Sequence, residues 1–319
     1  MLYTRREIGK IALAAGTADR LMAAKPDSVF GGVQIGAITY SFRALPGSAE
    51  ETLKYCLECG IGAVELMSNV PEGYAGAPSA PAAPGGGRGQ ATPEQQAARR
   101  KAAQDTKDWR LSVSMDKYKA FRKMYEGAGV KIYAFKLPPT IGMSDQEYEY
   151  IWNVGETLGA NHITMELPAD DALLQRVAEY AATRRLRIAF HTHGQGGDSG
   201  FDKALAASPN TALNLDVGHY YGVNGKSPVP VIEKYHERIA SIHLKDRKGP
   251  TGAAAGPRGG GPNMPWGQGE TPLKEILQLM KKQKYKFPGS IEFEYDTPEG
   301  SDVLTEVRKC VQYCKAALA

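Results

Sequence analysis

The chain has 319 residues, of which 42% are hydrophobic and 23% charged, a length and composition that suit one large apolar core. Its formal net charge is only +4 and its basic residues are scattered, so composition does not favour a nucleic-acid-binding protein. No apolar run reaches the roughly 18 residues that a membrane-spanning helix needs, so no such helix is predicted.

The N-terminal segment resembles a twin-arginine export signal. Arg5 and Arg6 precede an apolar stretch at residues 11–16. Such a segment is an address read by a receptor and is left out of fold reasoning. We predict a signal segment over residues 1–27 and hence a periplasmic or otherwise exported protein. The alternative is a short amphipathic helix on a cytoplasmic protein, because Asp19 and Arg20 interrupt the apolar stretch.

From residue 30 onward, strand-like and helix-like segments alternate eight times. This alternation predicts an α/β fold, a single-domain (β/α)8 TIM barrel over residues 30–319. A doubly wound sheet is disfavoured, because the loop at residues 43–47 lacks a glycine fingerprint. The predicted strands are 33–42, 62–67, 130–137, 162–167, 186–192, 212–217, 240–244 and 289–295. The predicted helices are 48–59, 116–126, 145–158, 172–183, 201–207, 229–238, 272–282 and 301–317.

Two segments rich in Ala, Gly and Pro interrupt this pattern, at about residues 71–96 and 250–263. They offer too few large side chains to fold alone, so we predict mobile or weakly ordered loops. Both follow a strand, which places them on the catalytic face of a barrel. They are interpreted as decoration, with a lid as the alternative.

Four cysteines lie on the first and last predicted helices, which are neighbours in a closed barrel. Cys56 and Cys59 share one helix face, and Cys310 and Cys314 share another. Small thiols that fill a helix interface are the favoured interpretation. A four-thiolate zinc site or a cross-helix disulfide stays open as an alternative.

Four predicted strands end in an acid or a histidine. These residues are Glu166, Asp216, His243 and Glu292. Because the carboxyl ends of barrel strands meet at one rim, we predict that the four bind one divalent metal ion. Three carboxylates and one imidazole suit Mn²⁺, Mg²⁺ or Co²⁺, and Zn²⁺ is also compatible. Glu294 points to the same side as Glu292 and is the alternative ligand.

Other polar side chains at the strand ends are candidate substrate contacts. His162, early in its strand, and His236, on a helix, are assigned structural roles instead. The predicted substrate-binding residues are His191, His193, His219, Lys245, Arg247, Glu65, Lys136, Glu294 and Trp266.

The chain resembles the xylose isomerase-like TIM-barrel superfamily, in the sugar phosphate isomerase/epimerase branch that includes ketose 3-epimerases and inosose dehydratases. The resemblance rests on Glu166, on Asp216-x-x-His219, on His243-Leu-Lys-Asp246-Arg247 and on Glu292. It implies the same metal ligands. His219 and Arg247 match substrate-contact positions more loosely.

DNA-repair enzymes of the same superfamily bind three metal ions and need additional histidines. Glu65, Lys136 and Asn263 stand in those places here, so a mononuclear site is predicted and no nucleic-acid partner is expected.

Metal-assisted proton transfer next to a carbonyl fits these residues. Glu166 and Glu292 are the predicted acid and base. We predict an isomerase or epimerase that acts through an enediolate on a ketose, a polyol-derived ketone or a keto-sugar. Alternatives are a lyase of the same fold, such as an inosose dehydratase or an enzyme that eliminates from 3-keto-glycosides, and a non-catalytic sugar-binding barrel. A homo-oligomer is compatible with the sequence.

Overall fold

Eight parallel strands close into a barrel in the computed structural model, which describes residues 25–78, 92–193, 201–250 and 260–319. The strands follow one another in chain order from β2 to β9, and β9 pairs back to β2. A short strand, β1, pairs antiparallel with β2. The predicted TIM barrel is confirmed. The strands are β1 (Val29–Phe30), β2 (Val33–Ile38), β3 (Ala63–Met67), β4 (Lys131–Lys136), β5 (His162–Glu166), β6 (Arg187–His191), β7 (Thr211–Asp216), β8 (Ile239–Leu244) and β9 (Gly289–Ile291).

Helices surround the barrel and cover the outer face of its strands. They are α1 (Ala49–Cys59), α2 (Asn69–Ala75), α3 (Pro93–Ser112), α4 (Met115–Gly127), α5 (Asp145–Leu158), α6 (Asp171–Ala182), α7 (Asp202–Ala206), α8 (Val217–Asn224), α9 (Val229–Tyr235), α10 (Leu273–Gln283) and α11 (Val303–Ala317).

The strand sequences explain why they occupy the centre. Every residue of β7 and β8 is buried, as expected for parallel strands covered on both faces. The register pairs Glu166 of β5 with His191 of β6. It likewise pairs Asp216 of β7 with His243 of β8. The strand-end residues therefore meet at one rim of the barrel.

The structure differs from the predicted elements at several boundaries. The predicted strand 33–42 ends at Ile38, where the chain turns into a 3-10 helix, and the predicted strand 289–295 ends at Ile291. Three helices were not predicted: α2, α3 and α8.

The predicted loop at residues 71–96 is thus helical at both ends. Its centre, residues 79–91, lies outside the described residues, as do residues 251–259 of the second insertion and residues 1–24 of the predicted signal.

The four cysteines are buried free thiols on the neighbouring helices α1 and α11. Burial raises the pKa of Cys59 and that of Cys310 to about 12, so neither thiol is ionised at neutral pH. Within the described part of the chain, no group of thiols lies close enough together to hold a metal ion. The interface-filling interpretation therefore fits the structure.

None of the helices in the described ranges combines the length and the apolar character needed to cross a membrane.

Candidate metal centre

Two imidazoles and two carboxylates converge at the carboxyl ends of four adjacent strands. His191 ends β6, Asp216 ends β7, His243 lies near the end of β8, and Glu292 directly follows β9. One ligand atom from each lies within 4.8 Å of all the others, and all four residues are buried. We call this set the metal cluster. It contains three of the four predicted ligands.

The donor atoms of the metal cluster fit a divalent cation. Asp216 Oδ1 accepts the backbone N–H of His219 at 2.6 Å, so the chain after β7 fixes this carboxylate. Asp216 Oδ2 accepts no well-directed hydrogen bond from the described residues, although Lys245 Nζ lies 3.1 Å away. A buried carboxylate oxygen left in this way is expected where a cation binds.

Protonation of the cluster reflects burial and mutual charge. Burial raises the pKa of Asp216 to about 6; Lys245 opposes this rise and Glu292 adds to it. Burial alone would lower the pKa of His243, but Glu65 and Glu292 outweigh burial and raise it to about 10. Burial lowers the pKa of His191 to about 3, so this imidazole is neutral and retains a lone pair for a metal ion.

Glu166, predicted as both a ligand and a base, lies beside the cluster rather than in it. Its side chain is 45% exposed; Oε1 lies 3.1 Å from Lys136 Nζ and Oε2 lies 2.9 Å from His193 Nδ1. Burial would raise the pKa of Glu166, but His193, His191 and Lys136 together hold it below its usual range. The structure brings His191, predicted as a substrate contact, into the fourth position of the cluster.

Lys245 is an internal cation. Its ammonium group lies 2.9 Å from Glu292 Oε2 and 2.6 Å from Glu294 Oε2, in addition to its contact with Asp216, and the residue is 1% exposed. Burial would lower the pKa of Lys245, but these three carboxylates raise it above its usual value. Glu294 therefore pairs with Lys245 outside the cluster, whereas Glu292 lies within it.

A third histidine connects the cluster to two buried cations. His219 Nε2 lies 3.0 Å from Lys245 Nζ, and His219 Nδ1 lies 2.6 Å from Arg247 Nη1. Together with His191 and His193, His219 forms a second close group of imidazoles beside the metal cluster. His193 in turn contacts Glu166, so this group lies beside the predicted base, and its role in substrate binding stays a prediction.

Two predicted substrate contacts lie elsewhere. Glu65 is fully buried beneath the cluster, where Oε2 lies 2.7 Å from His243 Nε2. Trp266 packs edge-on against Tyr313 of α11, with ring centroids 5.7 Å apart, and is not brought to the cluster. Glu65 thus lies behind His243, and Trp266 contacts helix α11.

A polar layer that was not predicted from the sequence lies inside the barrel beneath the cluster. It consists of Thr164, Asn214, Ser241 and Ser290, each two residues before Glu166, Asp216, His243 or Glu292. Alternate residues of a strand point to the same face, so this spacing of two was the signal that would have revealed the layer.

Comparison with known proteins gives the same fold and a related group of enzymes. Residues 172–314 match the family model of the xylose isomerase-like TIM barrel. An inosose dehydratase of Clostridium botulinum is 28% identical over 156 residues, which cover 44% of this chain and 51% of that protein. The chain thus spans about half the length of the curated relatives it matches.

Two solved structures share the whole barrel. The probable 3-DHS dehydratase of Bacillus anthracis has a TM-score of 0.58 and 17% identity, covering 88% of this chain and 98% of that one. The 3-keto-D-glucoside 4-epimerase of E. coli has a TM-score of 0.57 and 10% identity, covering 89% and 99%. At such identities the likeness concerns the fold. The chain folds as a TIM barrel, and its residues 172–314 are similar to the xylose isomerase-like TIM-barrel family that the strand-end residues resemble.

Proposed function

We propose that this protein is a metal-dependent enzyme that removes the proton next to the carbonyl of a keto-sugar or a polyol-derived ketone. The observation that supports the proposal most directly is the metal cluster, four buried ligand atoms within 4.8 Å of one another at the catalytic rim of the barrel. A buried group of this kind beside a half-exposed carboxylate suits chemistry on a small polar substrate.

His191, Asp216, His243 and Glu292 would hold the ion. Two imidazoles with two carboxylates suit Mn²⁺, Co²⁺ or Zn²⁺ better than Mg²⁺, which prefers oxygen ligands. A bound ion supplies a Lewis-acid charge that stabilises the enediolate formed when the proton leaves.

Glu166 is the proposed base. It is the half-exposed carboxylate beside the cluster, and its lowered pKa keeps it ionised, the form that a base requires, at neutral pH. His193, at 2.9 Å, orients Glu166 and can relay the proton onward. Glu292, the other predicted catalytic carboxylate, contacts His243 at 2.8 Å and Lys245 at 2.9 Å, so a ligand role suits it better.

The fate of the enediolate divides two candidate reactions. Return of the proton to the opposite face or to the neighbouring carbon gives an epimer or an isomer, the reaction predicted from the sequence. Loss of a hydroxyl group from the next carbon gives dehydration. The two inosose dehydratases that match at 28% and 27% identity favour dehydration as the second candidate. The proposed export signal over residues 1–27 favours an unphosphorylated substrate in either case.

Solvent exchange tests the proposal. We expect the Mn²⁺-loaded protein, incubated in deuterated water with a panel of ketoses, inososes and 3-keto-glycosides, to incorporate deuterium at the carbon next to the carbonyl of one class. Mass spectrometry of the products then separates epimerisation from dehydration. Absence of exchange across the panel would count against the proposed function.

Replacement of the base supplies the matched test. We expect Glu166→Gln to slow exchange by about 10²–10⁴-fold while the metal content stays unchanged, because the base is lost and the ligands are kept. Glu156→Gln, an exposed glutamate on α5, is the control and should exchange like the wild type. Exchange that continues at the wild-type rate in Glu166→Gln would place the base elsewhere.

A further inference from the structure

A single buried carboxylate lies beneath the metal cluster and touches three donors. Glu65 Oε1 accepts the hydroxyl of Thr164 at 2.7 Å, and Oε2 lies 3.2 Å from Asn214 Nδ2 and 2.7 Å from His243 Nε2. Glu65 is 0% exposed, and its Oε2 lies within hydrogen-bonding distance of two side-chain nitrogen atoms. A carboxylate oxygen that two side-chain nitrogen atoms approach is the acceptor, so each of these nitrogens presents a hydrogen to it.

This requirement fixes the orientation of the Asn214 amide. Its nitrogen must face Glu65, and the second hydrogen of that nitrogen points to Ser241 Oγ at 2.7 Å. The amide oxygen is then directed at His191 Nδ1, 2.8 Å away. A flipped amide would place two acceptors against each other at Glu65, so the flipped orientation is excluded.

The amide orientation in turn fixes the proton of His191. An amide oxygen only accepts, so Nδ1 of His191 carries the hydrogen and Nε2 carries the lone pair. That Nε2 faces Asp216 Oδ2 at 4.0 Å, inside the metal cluster. The lone pair of a neutral imidazole is the part that binds a metal ion.

The same carboxylate orients the other imidazole of the cluster in the opposite sense. His243 donates from Nε2 to Glu65, which leaves Nδ1 directed at the cluster, 2.8 Å from Glu292 Oε2. The two histidines therefore face the cluster with different ring nitrogens, and one polar network beneath them accounts for both choices.

We infer that Glu65 and Asn214 are positioning residues that set the ring orientation of both histidines and the tautomer of His191 before any ion binds. Partners behind metal-binding histidines act in this way and affect metal affinity strongly. The consequence for metal affinity rests on the proposed function, whereas the hydrogen-bond pattern does not.

The tautomer can be measured in the metal-free wild type. We expect long-range ¹H–¹⁵N spectra of protein labelled at histidine to show, for His191, a protonated Nδ1 and an unprotonated Nε2. The resonances are assigned by their loss in His191→Asn. A His191 ring protonated at Nε2 would overturn the inference, and the tautomer itself is measured on the wild-type protein.

Replacement of the Asn214 side chain tests its effect on the His191 tautomer and on metal affinity. Asn214→Leu removes the acceptor, so we expect His191 to lose the Nδ1–H tautomer and the Kd for Mn²⁺ to rise about 10–100-fold. Asn210→Leu is the matched control: it removes an amide that bonds the Ala181 and Arg184 carbonyl groups, away from the cluster. Circular dichroism establishes that both variants are folded. An unchanged tautomer and Kd in folded Asn214→Leu would overturn the inference.

Replacement of the carboxylate separates charge from geometry. A glutamine at position 65 keeps an oxygen for Asn214 and His243, while its amino group donates to the Thr164 hydroxyl. Glu65→Gln should therefore retain the His191 tautomer while it weakens Mn²⁺ binding; loss of the tautomer in Glu65→Gln would contradict the inferred network. A wild-type protein that binds no Mn²⁺ would count against the proposed function and leave the tautomer result standing.

Discussion

The ammonium group of Lys245 is in contact with three carboxylates at a position that water does not reach. Each of the four charges is costly to bury alone, and the arrangement is stable because the cation compensates the acids. The metal cluster thus has an internal counter-charge in the absence of an ion. Lys245, predicted from the sequence as a substrate contact, therefore contributes to the electrostatics of the site.

Replacement of Lys245 tests whether its charge stabilises the buried carboxylates. In Lys245→Met we expect the free energy of unfolding to fall by about 3–5 kcal/mol in the presence of a chelator, because the buried carboxylates lose their partner. Mn²⁺ should restore much of that loss, since the ion supplies the missing charge. Urea unfolding with and without Mn²⁺ measures both values. The control Lys203→Met alters an exposed pair with Asp171 and should unfold like the wild type; the same behaviour in Lys245→Met would contradict the account.

His162 gives the barrel interior a pH dependence. Burial lowers its pKa from 6.5 to about 4, with Glu65 opposing the effect and Arg187 and His243 adding to it. The unfolded chain therefore binds the proton first as pH falls. The stabilisation from neutral His162 is complete above pH 6.5 and is lost as pH falls from 6.5 towards 4.

A variant without a titrating side chain at position 162 tests the predicted direction of this pH dependence. Between pH 7 and pH 4 we expect the wild type to lose about 3 kcal/mol more unfolding free energy than His162→Gln, because each unit of pKa shift corresponds to about 1.4 kcal/mol. Glutamine keeps a partner for Ser241, which His162 Nε2 contacts at 3.0 Å. Comparison of the two profiles cancels the other titrating groups. Parallel profiles would show that His162 is not the source.

At the scale of elements, α3 shows how a polar helix is held on the barrel without burying any residue. It begins at a capping box formed by Thr92 and Gln95. Near its end, Arg110 pairs with Glu72 of α2 at 2.8 Å, and Glu72 also accepts the hydroxyl of Tyr150 at 2.9 Å. Trp109 of α3 also packs edge-on against Tyr150, with ring centroids 6.4 Å apart. The attachment is therefore a few contacts near the end of the helix rather than a continuous apolar face.

Loss of the Arg110 side chain should loosen this helix. Arg110→Ala leaves the nearly buried carboxylate of Glu72 uncompensated, so we expect a loss of about 2–3 kcal/mol in unfolding free energy. Hydrogen exchange along α3 should rise at the same time. Lys101→Ala, on an exposed turn of the same helix, is the control and should behave as the wild type. Equal stability of the two variants would mean that α3 is held by other contacts.

The elements that the sequence predicted best are those with an apolar periodicity. The predicted helix 145–158 coincides with α5, and all eight barrel strands were located. Helix α3 was missed because it lacks an apolar stripe and follows an Ala-, Gly- and Pro-rich segment, although the capping residues were visible. The presence of His191 in the metal cluster in place of Glu166 could not be predicted from the sequence, because it depends on which side chains point into the barrel.

At the scale of the whole molecule, barrel closure brings together residues from distant parts of the chain. Glu65 and His243 are 178 positions apart and His243 and Glu292 are 49 apart, yet each pair is in contact. Eight parallel strands in sequence order present their carboxyl ends at one rim, and so place both the metal cluster and Glu166 there. The proposed roles, buried side chains as metal ligands and the half-exposed Glu166 as the base, follow from this geometry.

Equilibrium dialysis with Mn²⁺ tests the central claim, that the metal cluster binds one divalent ion beside a separate base. We predict one ion per chain in the wild type, no stoichiometric binding in Asp216→Asn, and a full ion in Glu166→Gln. Failure of the wild type to bind Mn²⁺, or loss of the ion in Glu166→Gln as complete as in Asp216→Asn, would contradict the account.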